Sequence, residues 1–398
     1  MITFEDATRL VLGMNQPLSS ERLPLVDAVG RFLAGPLIAA HDSPRFDQSA
    51  VDGYGVRTDN VPGRLHLAGY SEAGDPFMEP MEQGRCIRVL TGAAVLPDVE
   101  GIALQEDCRL EGDSVFVERS VRKGDHIRRQ GEEYLKGELL LGQGTLVTPS
   151  VVGLAAAQGS TWLEVGTAPR VEILCTGKEL VAPGAPLGQS TLYASNAATL
   201  LAATRALGLA AEAKLLPDDP WVIKSAMEAA FEKADLVITT GGVSVGDRDY
   251  VRNCAIDLGT EEVFWRVAMK PGKPVFFGLR KGKPLLGLPG NPVAAMVAFQ
   301  VFVRPTILRL MGAANPSVPV FPVRLCTPLR KRAGRTEFVR VRFEGRAEGL
   351  CALPTKGQGS HMIGGTALAE GLLHLPPEVE QLAEGETAQA SFLRWGLL

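Results

Sequence analysis

The sequence predicts a multidomain protein of the α/β plus β class, with a doubly wound α/β domain at its centre. Three observations carry this prediction: strands and helices alternate over residues 170–312, short alternating runs fill residues 41–148, and short strands return over residues 316–398. The 398 residues suffice for roughly two to four domains. With 44 Gly and 27 Pro, the chain should contain many turns and backbone-lined sites.

The N-terminal part predicts a helical body interrupted by a β-rich module. Phe4, Ala7, Leu10, Val11 and Met14 fall on one helical stripe, and a turn and a second apolar run, Leu23–Leu33, follow. The β-rich module is indicated by the runs Arg64–Gly69, Cys86–Leu90 and Val115–Glu118. A short helix is predicted again at residues 151–165, so the module reads as an insertion.

The central segment predicts a mainly parallel sheet covered by helices. The strands are expected at Val171–Thr176, Glu212–Leu216, Asp235–Thr240 and Lys283–Leu288, and the helices at Ala197–Leu207, Pro220–Ala234 and Asn291–Met311. In such sheets the site lies at the carboxyl ends of the strands, where this segment collects its Gly and polar residues. A terminal β module is expected from Val323–Leu325, Phe338–Phe343 and Ala388–Leu393.

Composition excludes several classes of protein. A net charge of −4 argues against a generally basic nucleic-acid binder. The six Cys are scattered without a CxxC pair, which predicts buried or idle thiols in a reducing compartment. The N-terminus has no signal-peptide pattern, and the apolar stretch Pro292–Phe302 is too short to span a bilayer. We therefore expect a cytoplasmic protein with no membrane and no nucleic-acid partner.

A glycine-rich segment after the strand at 235–240 is a candidate anion site. Residues 239–249 read TTGGVSVGDRD. Glycines let backbone N–H groups converge on an anion, Ser244 adds a hydroxyl donor, and Asp249 could hold Mg²⁺. A strand–helix turn without a ligand explains the glycines equally well, so both interpretations stay open.

Cations and acids follow other predicted strand ends. Lys270–Pro274 places two lysines on a loop stiffened by prolines, with Arg266 upstream, and Asn291 opens a helix whose N–H groups favour an anion. Acids occur in Thr176–Leu180 and in Asp218–Asp219. Such a set suits Mg²⁺-assisted phosphate chemistry, although a solvated turn, a helix cap and solvated acids explain each piece separately.

Nine segments together resemble the MoeA family, the molybdopterin molybdenumtransferases, whose fold also forms the E domain of gephyrin. They are SAVDGYG (49–55), RVLTGAAVLP (88–97), IRRQGEEY (127–134), TGKEL (176–180), LPDD (216–219), GGVSVGDRDYV (241–251), KPGKP (270–274), LPGNPVAA (288–295) and KGQGSH (356–361). They occur in family order over nearly the whole chain. The α/β motifs also resemble molybdopterin adenylyltransferases and CinA-like proteins, whereas SAVDGYG, KPGKP and the terminal β module point to the MoeA branch.

The resemblance implies four domains and a homodimer. The domains are an elongated helical body (1–40 and 139–168), an inserted β-rich module (41–138), a molybdopterin-binding α/β domain (169–314) and a small C-terminal β barrel (315–398). The inserted module of one subunit would complete the α/β site of the other, so Asp52 and Thr91 would act in trans. Contacts with a molybdopterin adenylyltransferase and with apo-molybdoenzymes are expected as well.

The implied reaction inserts molybdate into adenylylated molybdopterin with Mg²⁺-dependent release of AMP. The implied catalytic residues are Asp52, Thr91, Glu179, Asp218 and Asp249, of which the last three would also bind Mg²⁺. Substrate would be held by Gly242, Ser244, Gly246, Arg266, Lys270, Lys273, Pro289, Asn291, Pro292 and Arg128. Molybdate would be held by Lys273, Pro274, Arg340 and Ser360.

Small departures from the family and three alternative functions accompany this interpretation. Val51 stands where Met is frequent, Gly55 where Ala is frequent, and Arg266 where Lys is frequent, so a planar fork replaces a point charge there. A molybdopterin adenylyltransferase would not need residues 41–150 or the terminal module. A tungsten-inserting paralogue would handle a dianion of nearly equal size, and a gephyrin-like scaffold would use the fold without catalysis.

Overall fold

The computed structural model describes residues 1–242, 250–347, 349–393 and 396, and it divides the chain into two units. The larger unit comprises Met1–Gly35, Gln143–Gly153 and Thr161–Leu398. The smaller unit comprises Pro36–Gly142 and Leu154–Ser160, so in the sequence it interrupts the larger one, as an insertion would. The exact limits of four separate domains stay a prediction.

The N-terminal segment forms the predicted helix and then a strand. Helix α1 (Phe4–Met14) begins after Thr3, whose hydroxyl accepts a hydrogen bond from the Asp6 N–H. Ala7 and Val11 are buried on the predicted apolar stripe. Strand β1 (Ser20–Pro24) and a 3₁₀ turn (Leu25–Ala28) contain the start of the second apolar run.

The smaller unit is β-rich, as predicted. Its strands are β2 (Leu37–Ile38), β3 (Gln48–Ser49), β4 (Gly53–Val56), β5 (Gly63–Ser71), β6 (Arg85–Val89), β7 (Gly101–Leu104), β8 (Cys108–Glu111), β9 (Ser114–Val117), β10 (Ile127–Arg128) and β11 (Leu139–Leu141). Six of them form one sheet in the order β7-β4-β6-β5-β9-β8, in which only β5 and β6 are parallel neighbours. Cys86 and Ala103 pack into one apolar cluster and their strand neighbours Ile87 and Ile102 into another, so both faces of the sheet are covered.

The prediction of a helix at residues 151–165 is correct only for the first half of that range. Helix α2 spans Pro149–Ala157, and Trp162–Gly166 forms strand β12, antiparallel to β1. Trp162 and Glu164 are exposed whereas Leu163 and Val165 are buried. This alternation has the period of a strand and explains why the helix does not continue.

The central domain is doubly wound, with a mixed sheet. In chain order it contains β13 (Val171–Thr176), β14 (Leu180–Val181), β15 (Leu192–Tyr193), α3 (Ser195–Ala206), β16 (Ala211–Leu216), α4 (Pro220–Lys233), β17 (Leu236–Thr240), α5 (Tyr250–Asp257), β18 (Glu261–Trp265), β19 (Met269–Lys270), β20 (Phe276–Arg280), β21 (Lys283–Leu288), α6 (Pro292–Ala298) and α7 (Arg304–Leu310). The sheet order is β16-β13-β17-β21-β20-β18. The first four strands are parallel as predicted, and β20 and β18 add an antiparallel edge that the prediction missed.

Alternating side chains place an apolar core on each face of this sheet. Ile173, Ile238 and Leu286 belong to a cluster that includes residues of α1, α3, α6 and α7. Their strand neighbours Leu174, Val237 and Leu285 belong to a second cluster with residues of α4 and α5. Strands buried on both faces have no exposed surface except at their ends, and those ends form the site.

The last helix of this domain is longer than its apolar stretch suggested. Residues Pro292–Leu310 form one helix of 19 residues, in which a π turn (Phe299–Val303) joins α6 to α7. By length and composition it could cross a membrane, so the expectation that it is too short is wrong. However, 94% of its most apolar window is buried inside the protein, so it is a core helix.

The C-terminal residues form a closed five-stranded barrel. The elements are β22 (Phe321–Leu325), β23 (Leu329–Arg330), β24 (Thr336–Arg346), β25 (Gly349–Pro354), α8 (Gly364–Ala367), β26 (Gly371–Leu375), β27 (Gln381–Leu382) and β28 (Thr387–Phe392). Pairing runs β24-β25-β22-β28-β26, and β26 returns to β24, which closes the barrel. Strand β19 of the α/β domain pairs in parallel with the start of β24.

The cysteines behave as predicted except for one pair. Cys326 and Cys351, on neighbouring segments of the barrel, form a disulfide with Cα atoms 5.5 Å apart. The expectation of isolated thiols is therefore wrong for this pair, which is brought together by strand pairing across 25 residues of sequence. Cys86, Cys108, Cys175 and Cys254 are free, and burial raises the pKa of Cys86 and Cys175 to about 12.

Gly53 provides a test of the smaller unit's packing. A Cβ atom at Gly53 would lie 2.1 Å from the Ala103 carbonyl oxygen, so β4 and β7 would have to separate. Gly53→Ala should lower the thermal unfolding midpoint by about 5 °C, equivalent to about 2 kcal/mol. Gly142→Ala in the same unit, where a Cβ meets no atom within 4 Å, is the matched control. Equal midpoints for both variants would contradict the close contact.

Candidate functional site

A cleft of about 510 Å³ opens at the carboxyl ends of β13, β17 and β21 in the larger unit. These strands are parallel neighbours, so their last residues meet at one edge of the sheet. The cleft is lined by Thr176, Glu179, Leu180, Leu192, Tyr193, Ala194, Ser195, Asn196, Thr240, Gly241, Pro274, Pro289, Gly290, Asn291, Pro292 and His361. It therefore brings together the predicted residues Glu179, Pro274, Pro289, Asn291 and Pro292.

The turn that follows β17 favours glycine. Gly241 and Gly242 have φ angles of 87° and 63°, a region that other residues rarely adopt. A Cβ at Gly241 would lie 2.4 Å from the Thr176 carbonyl oxygen. The backbone of this turn thus lies directly against the end of the neighbouring strand and leaves its outer side to the cleft. The predicted Ser244, Gly246 and Asp249 lie outside the described residues.

Asn196, in the first turn of α3, joins two loops of the cleft. Its side-chain amide donates to the Thr240 hydroxyl (3.0 Å) and to the Gly290 carbonyl (2.8 Å). The Thr240 hydroxyl in turn donates to the Pro289 carbonyl (3.0 Å). Sequence reasoning missed Asn196, and its position at a predicted helix start was the one available signal.

The start of α6 is a helix cap without a capping side chain. Asn291 has the extended backbone of an N-cap residue and Pro292 follows it, as the sequence predicts. The Asn291 side chain makes no capping hydrogen bond, so its amide is available to the cleft that it lines. Capping alone therefore does not account for this residue. The Val293 N–H donates to the Ser360 carbonyl (3.1 Å), which ties the 356–361 loop to the helix start.

Arg340 holds that same loop from inside the barrel. Its side chain is fully buried, and its guanidinium donates to the carbonyls of Gly357 (2.7 Å) and Gly359 (3.3 Å). A third donor reaches the Thr366 hydroxyl (3.4 Å). Burial lowers the pKa of Arg340, and its Nε has no hydrogen-bond partner in the structure as described. Arg340 thus fixes the loop that carries Ser360 and brings His361, a residue the prediction did not include, to the cleft.

The predicted acids have different roles. Glu179 lines the cleft, and its carboxylate lies beside Gly177 at the end of β13. The Asp218 carboxylate, after the neighbouring strand β16, accepts from the Lys178 N–H (3.1 Å). Asp219 caps α4 by accepting from the N–H groups of its first turn, so its role is structural. Within the described ranges no three His, Cys, Asp or Glu side chains cluster closely enough to hold a metal ion.

The predicted cations lie around the cleft rather than in it. Arg266 has a φ of 71° and its guanidinium stacks 3.9 Å from the ring of Trp265. Lys270 forms an ion pair with Glu337 (2.9 Å), and Lys273 is exposed on the same loop. None of the three belongs to the residues that line the cleft, whereas Pro274 at the end of that loop does.

In the smaller unit, the predicted pair Asp52 and Thr91 is hydrogen bonded. Asp52 precedes β4 and Thr91 lies just beyond β6, and these strands pair with Gly53 opposite Val89. Oδ1 of Asp52 accepts from the Thr91 N–H (2.7 Å) and from its hydroxyl (2.8 Å). The pKa of Asp52 is lowered below its ordinary value, most strongly by the hydrogen bond from the Thr91 N–H and next by the one from the Thr91 hydroxyl. Asp52 is therefore an exposed, ionised carboxylate at neutral pH.

Two basic residues accompany this pair in the smaller unit. Arg88 stacks on Tyr54, with 4.9 Å between its Cζ and the ring centroid, and donates to Gln105 (2.6 Å). Its charge also lowers the pKa of Asp52. Arg128, a predicted substrate contact, is exposed on β10, which pairs with β3.

Known proteins match nearly the whole chain. Three family models match: the MoeA N-terminal region, domains I and II, at residues 2–159; a probable molybdopterin binding domain at 172–309; and the MoeA C-terminal region, domain IV, at 322–393. The chain is similar to a molybdopterin molybdenumtransferase of Haemophilus influenzae, at 34% identity over 97% of both chains. It is 35% identical to molybdopterin molybdenumtransferase 2 of Mycobacterium tuberculosis, over 98% of this chain and 99% of that one.

The fold of the chain is similar to that of a solved MoeA protein. The crystal structure of the molybdopterin biosynthesis MoeA protein from Pyrococcus horikoshii OT3 superposes with a TM-score of 0.85 at 27% identity. The match covers 98% of this chain and 100% of that one. The multidomain fold predicted from the sequence, with its α/β centre and terminal barrel, is thereby confirmed.

The Thr91 hydroxyl provides a test of the Asp52 environment. Thr91→Ala removes one of the two donors that stabilise the ionised form, so the pKa of Asp52 should rise towards its ordinary value. The readout is a titration of the Asp52 carboxyl carbon by ¹³C NMR. Thr58→Ala is the matched control, because Thr58 binds the Glu100 carboxylate through the same two donors. An Asp52 titration that is unchanged by Thr91→Ala would refute the assignment.

Asn196 provides a test of how the cleft loops are held. Asn196→Asp replaces the donating amide by a carboxylate that faces the Gly290 carbonyl, so both loops should lose their bridge. Amide hydrogen exchange at residues 240–242 and at Gly290 and Asn291 should become at least about tenfold faster. The control is Asn253→Asp, an exposed residue of α5, which should leave those amides unchanged. Equal protection in the two variants would show that Asn196 does not hold the loops.

Proposed function

Because this chain belongs to the MoeA family, we infer that it is a molybdopterin molybdenumtransferase that acts in molybdenum cofactor biosynthesis. The observation that carries this conclusion is the match over all three family regions and over nearly the full length of relatives with that activity. Its substrates are accordingly molybdate and molybdopterin. An adenylyltransferase that uses an α/β domain alone would not need the smaller unit and the barrel.

The finer form of the reaction uses adenylylated molybdopterin and releases AMP. The phosphoanhydride bond between AMP and the pterin phosphate breaks, and one water added across it gives the two phosphate products. The residues at the cleft support such a substrate. The Gly241–Gly242 backbone, the start of α6 and the Asn291 amide are polar groups that suit phosphate oxygens. The predicted Ser244 and Gly246 would extend this phosphate-binding segment.

Asp52 assists the cleavage as an ionised carboxylate. Since the Thr91 donors lower its pKa, Asp52 is ionised at neutral pH, which suits a base, a metal ligand or a group that orients water. The Thr91 donors occupy Oδ1 and leave Oδ2 to accept a proton from the attacking water or to orient that water. Thr91 is then a positioning residue for Asp52.

Mg²⁺ fits the acidic residues at the strand ends. Glu179 and Asp218 follow neighbouring parallel strands and supply the hard oxygen ligands that Mg²⁺ prefers, alongside phosphate oxygens of the substrate. Asp249 would complete this set. The ion would neutralise charge on the anhydride phosphates when it is bound. Lys270, Lys273 and Arg266 add positive charge around the cleft, and Ser360, Pro274 and Lys273 provide the molybdate side. Arg340, predicted as a molybdate contact, is buried and instead holds the loop that carries Ser360.

The active form is a homodimer in which each site takes Asp52 and Thr91 from the other subunit. The cleft belongs to one unit of the chain and Asp52 to the other, as the resemblance requires for a site shared between subunits. Ile38 and Leu139, which are opposite each other on β2 and β11, are large apolar side chains that are exposed in the single chain and suit a subunit interface. An adenylyltransferase that supplies the substrate and apo-molybdoenzymes that receive the product are the further partners, and the cytoplasm is the location.

The direct test is AMP release from adenylylated molybdopterin with Mg²⁺, with and without molybdate. Molybdate-dependent release, with a product that activates an apo-molybdoenzyme, is the expected result. Release that requires tungstate instead would assign the chain to a tungsten-inserting paralogue. Synthesis of adenylylated molybdopterin from ATP would make it an adenylyltransferase, and a folded dimer without either reaction would make it a scaffold.

A mixing experiment tests the shared site. Asp52→Asn and Glu179→Gln should each reduce AMP release at least about 100-fold, because each removes a carboxylate from every site. Dimers re-formed from an equal mixture should recover about one quarter of wild-type activity, since half are mixed and each mixed dimer has one intact site. Each variant mixed with itself is the control. No recovery from mixed dimers that are verified by mass would place Asp52 in the site of its own subunit.

A further inference from the structure

A basic pocket of about 540 Å³ lies beside the barrel, outside the cleft. It is formed by Lys270, Arg330, Lys331, Arg332, Arg335 and Glu337. Five of these six side chains are cationic, although the chain as a whole carries a net charge of −4. The positive charge is therefore a local property of this pocket and creates a positive potential there.

Three arginines of the basic pocket have no carboxylate partner. Lys270 is paired with Glu337 at 2.9 Å. Within the described residues, no acidic side chain lies within 4.0 Å of Arg330, Arg332 or Arg335. The pocket thus contains one carboxylate, that of Glu337, and five cationic side chains. The three guanidinium groups are therefore available to bind an external anion.

The loop that carries these arginines is held by backbone hydrogen bonds. The Lys331 N–H donates to the Glu380 carbonyl (2.8 Å) and the Gly334 N–H to the Pro377 carbonyl (2.8 Å). The Lys331 ammonium also donates to the carbonyls of Arg335 (3.1 Å) and Pro377 (3.3 Å). Lys331 therefore stabilises the loop itself, and the arginines project from a fixed backbone, which lowers the entropic cost of binding a ligand.

The basic pocket and the cleft share one loop. Lys270, at the start of the Lys270–Pro274 loop, lines the pocket, and Pro274, at its end, lines the cleft. The Thr336 N–H donates to the Ala268 carbonyl (3.0 Å), and β19 pairs with β24, so this loop is fixed to the arginine loop. An anion in the pocket would lie beside Lys270, in the same loop as Pro274 of the cleft.

We propose that the basic pocket binds a tetrahedral oxyanion close to the cleft, either molybdate before its transfer or a phosphate group of the substrate. Guanidinium forks match the oxygen pairs of such anions, and unpaired arginines have no competing internal partner. A concave pocket of this size suits a small ligand. The identity of the anion rests on the proposed function, whereas binding of an oxyanion does not.

Equilibrium dialysis of the unliganded full-length protein tests binding without turnover. The probes are molybdate and inorganic phosphate, each alone and in competition with AMP. Arg330→Gln combined with Arg332→Gln should weaken binding of one of the two anions at least about tenfold. The matched control is Arg342→Gln, an exposed arginine of β24 that does not line the pocket. Thermal unfolding midpoints equal to wild type verify that all variants are folded.

The outcomes separate the two sources of the anion. A loss specific to molybdate, with a raised KM for molybdate and an unchanged kcat at saturation, identifies a molybdate site. A loss specific to phosphate, with a raised KM for adenylylated molybdopterin, identifies a site for a substrate phosphate. Unchanged affinity for both anions, or an equal loss in Arg342→Gln, would overturn the proposal. Since dialysis needs no catalysis, failure of the proposed reaction would leave this result readable.

Discussion

The approach of the Gly241–Gly242 turn to the end of β13 is the contact on which the cleft depends. The Gly241 backbone can lie against the Thr176 carbonyl there only because no side chain intervenes. The two apolar cores on the faces of the sheet fix the strands, and so fix where their ends lie. Asn196 then joins the ends of β17 and β21 by hydrogen bonds, which gives the cleft two adjacent walls of backbone.

Charges of the proposed site are held mainly by neutral groups. Asp52 is held by the N–H and hydroxyl of Thr91, and Arg340 by carbonyl oxygens and a hydroxyl. Neutral partners orient a charge without cancelling it, so these groups retain their field for a charged substrate. The Lys270 ammonium differs, because the Glu337 carboxylate lies 2.9 Å away and neutralises its charge. The unpaired arginines beside it keep the positive charge of that region.

Much of the fold could be predicted because its signals are local. The apolar strands and the amphipathic helix α1 have periods that a short window of sequence contains. The antiparallel edge β20–β18, strand β12 and the Cys326–Cys351 disulfide depend on partners elsewhere in the chain, and no local pattern announces them. Strand pairing of this kind is decided by tertiary packing.

The same distinction applies to the site. Glu179 and Asn291 were predicted because they follow strands of a parallel sheet, where sites of this fold class lie, whereas Pro289 was predicted from the family resemblance of its segment. Asn196 and His361 were missed because their roles come from hydrogen bonds and loop positions that join distant segments. Asp218 and Asp219 are adjacent in the sequence, and only the structure shows that Asp219 caps a helix whereas Asp218 stays a candidate metal ligand.

Strand β19 has a mechanical consequence for the molecule. It is part of the chain leading into the Lys270–Pro274 loop, yet its hydrogen-bonded neighbour is the barrel strand β24. A rotation of the barrel would therefore pull directly on a loop that borders the cleft. Arg340 provides a second connection. Its buried guanidinium donates to a carbonyl of the 356–361 loop, and the Ser360 carbonyl of that loop accepts a hydrogen bond from the first turn of α6. Through these two connections, a displacement of the barrel would move two loops of the cleft together.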